Sequence, residues 1–228
     1  PRKSLPWPKL ETPAAPVEKP APVPFGTAIS PVALWRKKAL ALITWALDQL
    51  LQNPLQLDWL RRRGLPLEAV QRFRLGWIPE DLYRSRKSWG LPEEISHKTN
   101  QVKRLWIPKG IVIPCLEGGE IHRIRIRRPE GVPRYYWLPG SGDDSILLNS
   151  EAKAYIILES DLDALAVAHA AGDLVGVVSL GSSGAKPKKR AWEVLTRSRC
   201  ILVALDADDA GAKAASWWKM TFPQAVRW

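Results

Sequence analysis

The chain has 228 residues, 46% of them hydrophobic, and carries 34 Lys and Arg against 23 Asp and Glu, a formal net charge of +11. That apolar content supports one fair-sized core or two small ones. A soluble chain this basic meets a polyanion, with nucleic acid as the leading candidate; a ribosome-like or merely solubilising surface is the plainer alternative. No apolar run approaches the ~20 residues of a membrane helix. The longest, ALALITWAL at Ala39–Leu47, reads as part of an amphipathic helix. Cys115, Cys200, His97, His122 and His169 show no zinc-ligand spacing. Both cysteines fall in predicted strands and read as buried free thiols, which suits a reducing cytoplasm. No signal-peptide pattern is visible.

Residues 1–31 hold nine of the twenty prolines, a linker composition. Val32–Leu51 reads as a helix, with Trp35, Ala39, Leu42, Ile43, Ala46 and Leu50 at helical spacing. Arg36, Lys37 and Lys38 crowd its first turns against the helix dipole, as a solvated face or a phosphate contact. Leu55–Gly64 and Leu67–Phe73 read as two short helices joined by Gly64-Leu65-Pro66. Residues 80–104 show little periodicity and read as a surface loop or short helices.

From Leu105 to Tyr136 the pattern turns to β, in short runs broken by Gly and Pro. IHRIRIR alternates: Ile121, Ile124 and Ile126 are apolar, while Arg123, Arg125 and Arg127 share the other face. Three arginines on one strand face repel one another unless anions or acidic partners face them. Arg suits phosphate through its bidentate fork, so nucleic-acid or nucleotide phosphate is the favoured partner over a solvated face. Most of the twelve tryptophans belong to a core, but Trp106, Trp137 and the Trp217-Trp218 pair could include an exposed base-stacking ring.

From Ala154 strands and helices alternate, which implies a parallel, Rossmann-like sheet. YIIL (Tyr155–Leu158) runs into Glu159, and Asp163 follows inside a helical pattern closed by Gly172. Gly181-Ser182-Ser183-Gly184, then Lys186, Lys188 and Lys189, joins a strand to a helix; its backbone amides could hold a phosphate, or it is a plain loop before a basic helix. LVALDADDAG (Leu202–Gly211) ends a strand in Asp206-x-Asp208, which puts both carboxylates on one face. A hard divalent cation is the natural neutraliser of such a pair. The plainer readings are a helix N-cap for Asp208 or Asp209, a helix-start charge for Asp163 and a solvated strand end for Glu159.

Leu158–Gly184 together with Leu205–Gly211 resembles a TOPRIM domain, with Ser160 where that family usually has Gly. Leu57–Trp77 and Ile111–Tyr136 resemble the helical segment and basic strand pair of the RNA-polymerase core of bacterial DnaG-type primases. In that pattern Arg127 and Arg134 fall on basic positions. The resemblance implies an α/β fold: a TOPRIM Rossmann-like parallel sheet preceded by a helical segment and a small basic β-rich subdomain. The implied organisation is a Pro-rich linker at 1–31, the helical and basic β subdomain at 32–150, and a TOPRIM domain at 151–228. A linker at the start and a missing further acidic motif suggest an excised core, truncated at its C-terminus.

The function implied by the resemblance is metal-dependent synthesis of RNA primers on a single-stranded DNA template from nucleoside triphosphates. Mg²⁺ or Mn²⁺ would be the cofactor, a replicative helicase a partner, and the cytoplasm the location, with no membrane involved. Glu159, Asp206 and Asp208 would be catalytic, and with Asp163 would hold metal. Arg123, Arg125, Arg127, Arg134 and Lys186 would bind nucleic acid or nucleotide. A TOPRIM nuclease, or a nucleic-acid-binding module with an inactive site, stays open.

Overall fold

The computed structural model describes residues 31–97, 99–182, 184–206 and 208–228. The expected linker, apart from Pro31, lies outside them. Helix α1 (Ala33–Leu51) buries Trp35, Ala39, Leu42, Ile43, Ala46 and Leu50, the six residues whose spacing marks the helix in the sequence. Arg36, unfavourably placed in its first turn, is ion-paired to Glu120. Helix α2 (Pro54–Arg62) starts where the Asn53 side chain accepts the Gln56 N–H at 3.2 Å, with Pro54 at its first position. A short α3 (Leu67–Arg72) follows.

The next strands are β1 (Gly76–Ile78), β2 (Leu82–Arg84), β3 (Leu105–Ile107), β4 (Gly110–Glu117), β5 (Glu120–Arg127) and β6 (Tyr135–Trp137). β1, β4, β5 and β6 form an antiparallel sheet in the order β1-β4-β5-β6. β2 pairs with β3 separately. Residues 80–104, expected as a surface loop or short helices, contain a single 3-10 turn at Lys87–Trp89 and also the strand β2. A strand of three residues is too short to show a period, so its sequence carries no alternation to read.

The two faces of the four-stranded sheet do different work. Val112, Ile124 and Ile126 pack against Trp35, Ala39, Ile43 and Ala46 of α1. On the other face Ile111 pairs with Arg127, Ile113 with Arg125, and Arg125 with Trp137. That face meets the second half of the chain.

The second half contains β7 (Ile146–Leu148), β8 (Ala154–Leu158), α4 (Asp161–Ala171), β9 (Gly176–Ser179), α5 (Lys189–Arg197), β10 (Cys200–Ala204), α6 (Asp209–Thr221) and β11 (Ala225–Arg227). Its sheet runs β11-β10-β8-β9-β7, parallel except for the antiparallel edge strand β7. This is the expected α/β class. β7 lies before the expected boundary at residue 150, yet it belongs to this sheet. The halves also share a core: Leu60, Leu65 and Val70 from the helical segment and Ile111 and Ile113 from β4 pack with Leu162, Leu165 and Ala168 of α4.

Cys115 sits in β4, and burial pushes its thiol up to about 11. Cys200 is exposed, contrary to the expectation of two buried thiols. In β10 it is Ile201 and Val203 that turn inward, so the two-residue period turns Cys200 out. Among the described residues no helix is long and apolar enough to cross a membrane.

α1 lies so close to β1 that a Cβ on Gly76 would stand 2.6 Å from the Ala46 Cβ and 2.8 Å from the Ala46 carbonyl carbon. Gly76→Ala is expected to destabilise the fold by about 1–3 kcal/mol through overpacking. A lowered urea midpoint at unchanged slope would report it.

Candidate active site and nucleic-acid interface

β8 and β10 are adjacent and parallel, with Leu158 opposite Ala204. Glu159 and Asp206 therefore leave the sheet at the same C-terminal edge, where open α/β sheets bind ligands. Glu159 is half-buried and Asp206 exposed. Asp208 is the N-cap of α6, its carboxylate accepting the Gly211 N–H at 2.7 Å. Asp163, on the first turn of α4, is ion-paired at 2.6 Å to Arg63, just past α2.

Among the described residues no group of three or more His, Cys, Asp or Glu is close enough to hold a metal ion. The four acids singled out by the sequence are thus not gathered into one cluster. A helix N-terminus engages Asp208 and a guanidinium engages Asp163. The donors at the edge still suit Mg²⁺, which takes one or two carboxylates and completes its shell with water and substrate phosphates.

The arginine stripe resolves differently from its sequence reading. Arg123 and Arg125 do not face a polyanion: their side chains are 1% and 7% exposed and converge on Asp161, which is fully buried. Arg123 Nη2 donates to Asp161 Oδ2 at 3.0 Å and Arg125 Nη1 to the same oxygen at 3.1 Å. Ser179 Oγ donates to Oδ1 at 2.5 Å. The Asp144 carbonyl accepts from Arg123 at 2.5 Å. Trp137 covers both guanidinium groups, 4.8 and 5.4 Å from its ring centre. Asp161 is the residue that sequence reasoning missed. It passes for a dipole-favouring charge at a helix start. The signal was the stripe itself, which demands an acid or an anion opposite it.

This cluster reaches the acidic edge. Arg125 Nη2 donates to the Gly181 carbonyl at 3.2 Å, and the Gly181 N–H donates to the Glu159 carbonyl at 2.9 Å. Gly181 has φ +83°, and a Cβ there would meet Arg125 Nη1 at 2.7 Å, so only glycine fits. Tyr135 Oη lies 3.2 Å from Ser160 Oγ, which gives the serine in the Glu159 turn a partner on β6.

Arg127 and Arg134 remain outward. Arg127 is half-buried, stacked 4.5 Å from the centre of the Trp59 ring, which Arg63 also covers at 5.2 Å. Burial lowers the Arg127 pKa, and the neighbouring Arg134 and Arg63 cations add to the shift against the opposing Tyr135. Arg134 is exposed. Lys186 lies 3.7 Å over the Trp217 ring, and partial burial lowers its pKa. A cleft of about 590 Å³ opens between the two halves, bounded by Arg125, Trp137, Asp143, Gly181, Lys186 and Lys188.

Residues 156–226 match a family model described as Toprim-like. No curated relative matches the sequence. The chain superimposes on the zinc-binding and RNA polymerase domains of the Aquifex aeolicus primase with a TM-score of 0.61 at 19% identity, over 85% of this chain and 54% of that one. This is the fold of a DnaG-type primase catalytic core with a Toprim-like domain. A DnaG primase catalytic domain bound to ssDNA gives a TM-score of 0.59 at 17% identity, covering 82% of this chain and 68% of that one. The RNA polymerase domain of Mycobacterium tuberculosis DnaG, in complex with double-stranded DNA, gives 0.60 at 14%, covering 86% and 72%. The chain thus spans about half the length of the Aquifex structure and about two thirds of the others. The parallel sheet is the Toprim-like part of this primase-core fold.

Removing Asp161 leaves two guanidinium groups buried together without their carboxylate. Asp161→Ala is expected to cost about 3–5 kcal/mol, read as a fall in the chemical denaturation midpoint. Stability equal to the parent would mean the cluster does not hold the halves together.

Proposed function

We propose that this chain is the catalytic core of a primase, joining nucleotides on a single-stranded DNA template with the help of a divalent metal. The observation that supports the reading is the shared edge of β8 and β10 in a Toprim-like domain, with Glu159 and Asp206 both lying just beyond the C-terminal ends of these paired strands. The DNA complexes among the similar structures support nucleic acid as the partner.

In this reading Asp206 and Asp208 would hold Mg²⁺ or Mn²⁺. Asp208 can give one oxygen to the helix cap and the other to the ion. The ion, when bound, offsets charge on the triphosphate and orients the attacking 3′-hydroxyl. Glu159 is a further ligand or accepts the proton of that hydroxyl. Arg127 and Arg134, the outward members of the basic β region, hold template or nucleotide phosphates. Trp59 orients the Arg127 guanidinium by stacking under it.

The capped Asp208 and the paired Asp163 favour a second reading, a nucleic-acid-binding module with an inactive acidic edge. One experiment separates them. On a single-stranded template with Mg²⁺ or Mn²⁺, the parent chain is expected to incorporate ribonucleotides. Asp206→Asn is expected to bind the template as before and lose at least about 100-fold in incorporation, the scale of losing one electrostatic stabiliser. Tight binding without synthesis by the parent would establish the binding module, and template cleavage would establish a nuclease.

The arginine assignment has its own measurement. Arg127→Ala is expected to lower the salt slope of single-stranded DNA binding by about 0.7, one phosphate contact. An unchanged slope and affinity would remove Arg127 from the interface.

A further inference from the structure

Helix α1 is apolar on two sides. Its inner stripe is buried, yet Leu34 and Trp45 are 43% and 36% exposed, with Lys38 and Ala41 between them at helical spacing. A surface helix normally turns polar residues outward. Here the outer stripe borders a groove of about 300 Å³ between α1, β2 and the 3-10 turn at Lys87–Trp89. We propose that this groove docks an acidic segment of a partner protein, with an aromatic or leucine side chain seated against Trp45 and carboxylates held by Lys38 and Arg84. The proposal does not depend on the primase reading.

The floor is apolar and already formed. Leu42, Trp89 and Ile107 line it, and all three are buried in the core beneath α1. Trp89 stands edge-on to Trp35, with ring centres 6.3 Å apart, so the floor is held from behind. A preformed pocket spares a ligand the cost of ordering its site. About 300 Å³ is at the low end for a ligand pocket, which suits an anchor side chain on a peptide.

Charge decides the occupant. No carboxylate lines the groove, and among the described residues neither Lys38 nor Arg84 is ion-paired; Arg84 donates to the Tyr83 carbonyl at 3.1 Å. Lys87, next to the lining Ser88, is exposed as well. A second copy of this chain, at +11, would be repelled by that rim. Residues 1–30 are also net basic, with four Lys or Arg against two Glu.

Position favours a peptide over a nucleic-acid strand. The core under the groove holds no residue beyond Leu138, so it lies on the face of the antiparallel sheet away from the parallel one. The outward Arg127 belongs to the opposite face. A strand needs a row of cations along its backbone, whereas two cations at the rim of an apolar pocket match an anchor side chain flanked by acids. A partner docked here leaves the acidic edge of β8 and β10 uncovered.

The test uses the full chain and a fluorescein-labelled peptide, Asp-Glu-Asp-Leu-Phe-Glu-Asp-Glu, read by anisotropy at low and high salt. One control peptide has Gly for Leu and Phe, and a second has Asn and Gln for the acids. The acidic peptide is expected to bind more tightly than either control and to weaken with salt. Trp45→Ala is expected to weaken it by about 5- to 30-fold, the span of one interface anchor. Ala41→Trp, which fills the groove from an exposed position, is expected to reproduce that loss with the wall intact. Lys38→Gln with Arg84→Gln is expected to weaken the acidic peptide by about 2- to 10-fold and leave the neutral one unchanged. Matched unfolding midpoints separate lost docking from lost fold. Equal affinity for the acidic and neutral peptides, or unchanged affinity in both Trp45→Ala and Ala41→Trp, would overturn the proposal. Displacement of the probe by a peptide of residues 1–30 would overturn it in favour of the chain's own segment, and displacement by oligothymidylate in favour of nucleic acid. A dimer in sedimentation that Trp45→Ala breaks would assign the groove to a second copy and overturn it too.

Discussion

Asp161 holds two guanidinium groups and a hydroxyl in a volume closed to water, and the relation between the halves of the molecule follows from that bond set. Arg123 and Arg125 come from β5 of the antiparallel sheet, while Asp161 and Ser179 come from α4 and β9 of the parallel one. Burying charges costs several kcal/mol per ion, and their mutual attraction returns this only when the geometry is good. The contribution of such a cluster is therefore registry more than net stability. An apolar interface between the halves could slide by a residue. This one cannot, because a shift would leave an ion alone in a low dielectric.

Registry matters here because the acidic edge and the basic surface belong to different halves. Glu159 and Asp206 are carried by the parallel sheet, and Arg127 and Arg134 by the antiparallel sheet and the turn before β6. Arg127 lies two residues beyond Arg125 on the same strand face, so fixing Arg125 on Asp161 fixes where Arg127 emerges. The same residue reaches Glu159 through Gly181, whose carbonyl accepts the Arg125 bond and whose N–H donates to the Glu159 carbonyl. One buried carboxylate thus sets both the position of an outward cation and the turn that presents an acid.

Much of this was readable in the chain because period and spacing survive in any context. The α1 stripe is long enough to show its period, and all six of its apolar positions are buried. The alternating strands and helices after Ala154 name their own sheet. Two of the shortest elements were not readable: β2 and β7 have three residues each, and unlike the equally short β3, β6 and β11 they lie outside the stretches whose pattern marks strands. The stripe Arg123/Arg125/Arg127 was visible as one face, but its division was not. Whether an arginine meets solvent or a buried acid depends on which element lies opposite, and that is tertiary information. Asp161 was hidden for the same reason. At a helix start a carboxylate is unremarkable, and only the fold places it under two arginines.

The cleft and the acidic edge meet at one residue. Gly181 lines the cleft, accepts from Arg125, and donates to the backbone of Glu159. The two bonds belong to adjacent peptide groups on either side of the Gly181 Cα, and together they fix the backbone of this turn. Glycine is required at this link because its φ is positive and its Cβ position is taken by the Arg125 guanidinium. The wall of the cleft and the turn that carries Glu159 are therefore built on one residue, at a position where the positive φ and the Arg125 guanidinium disfavour a side chain.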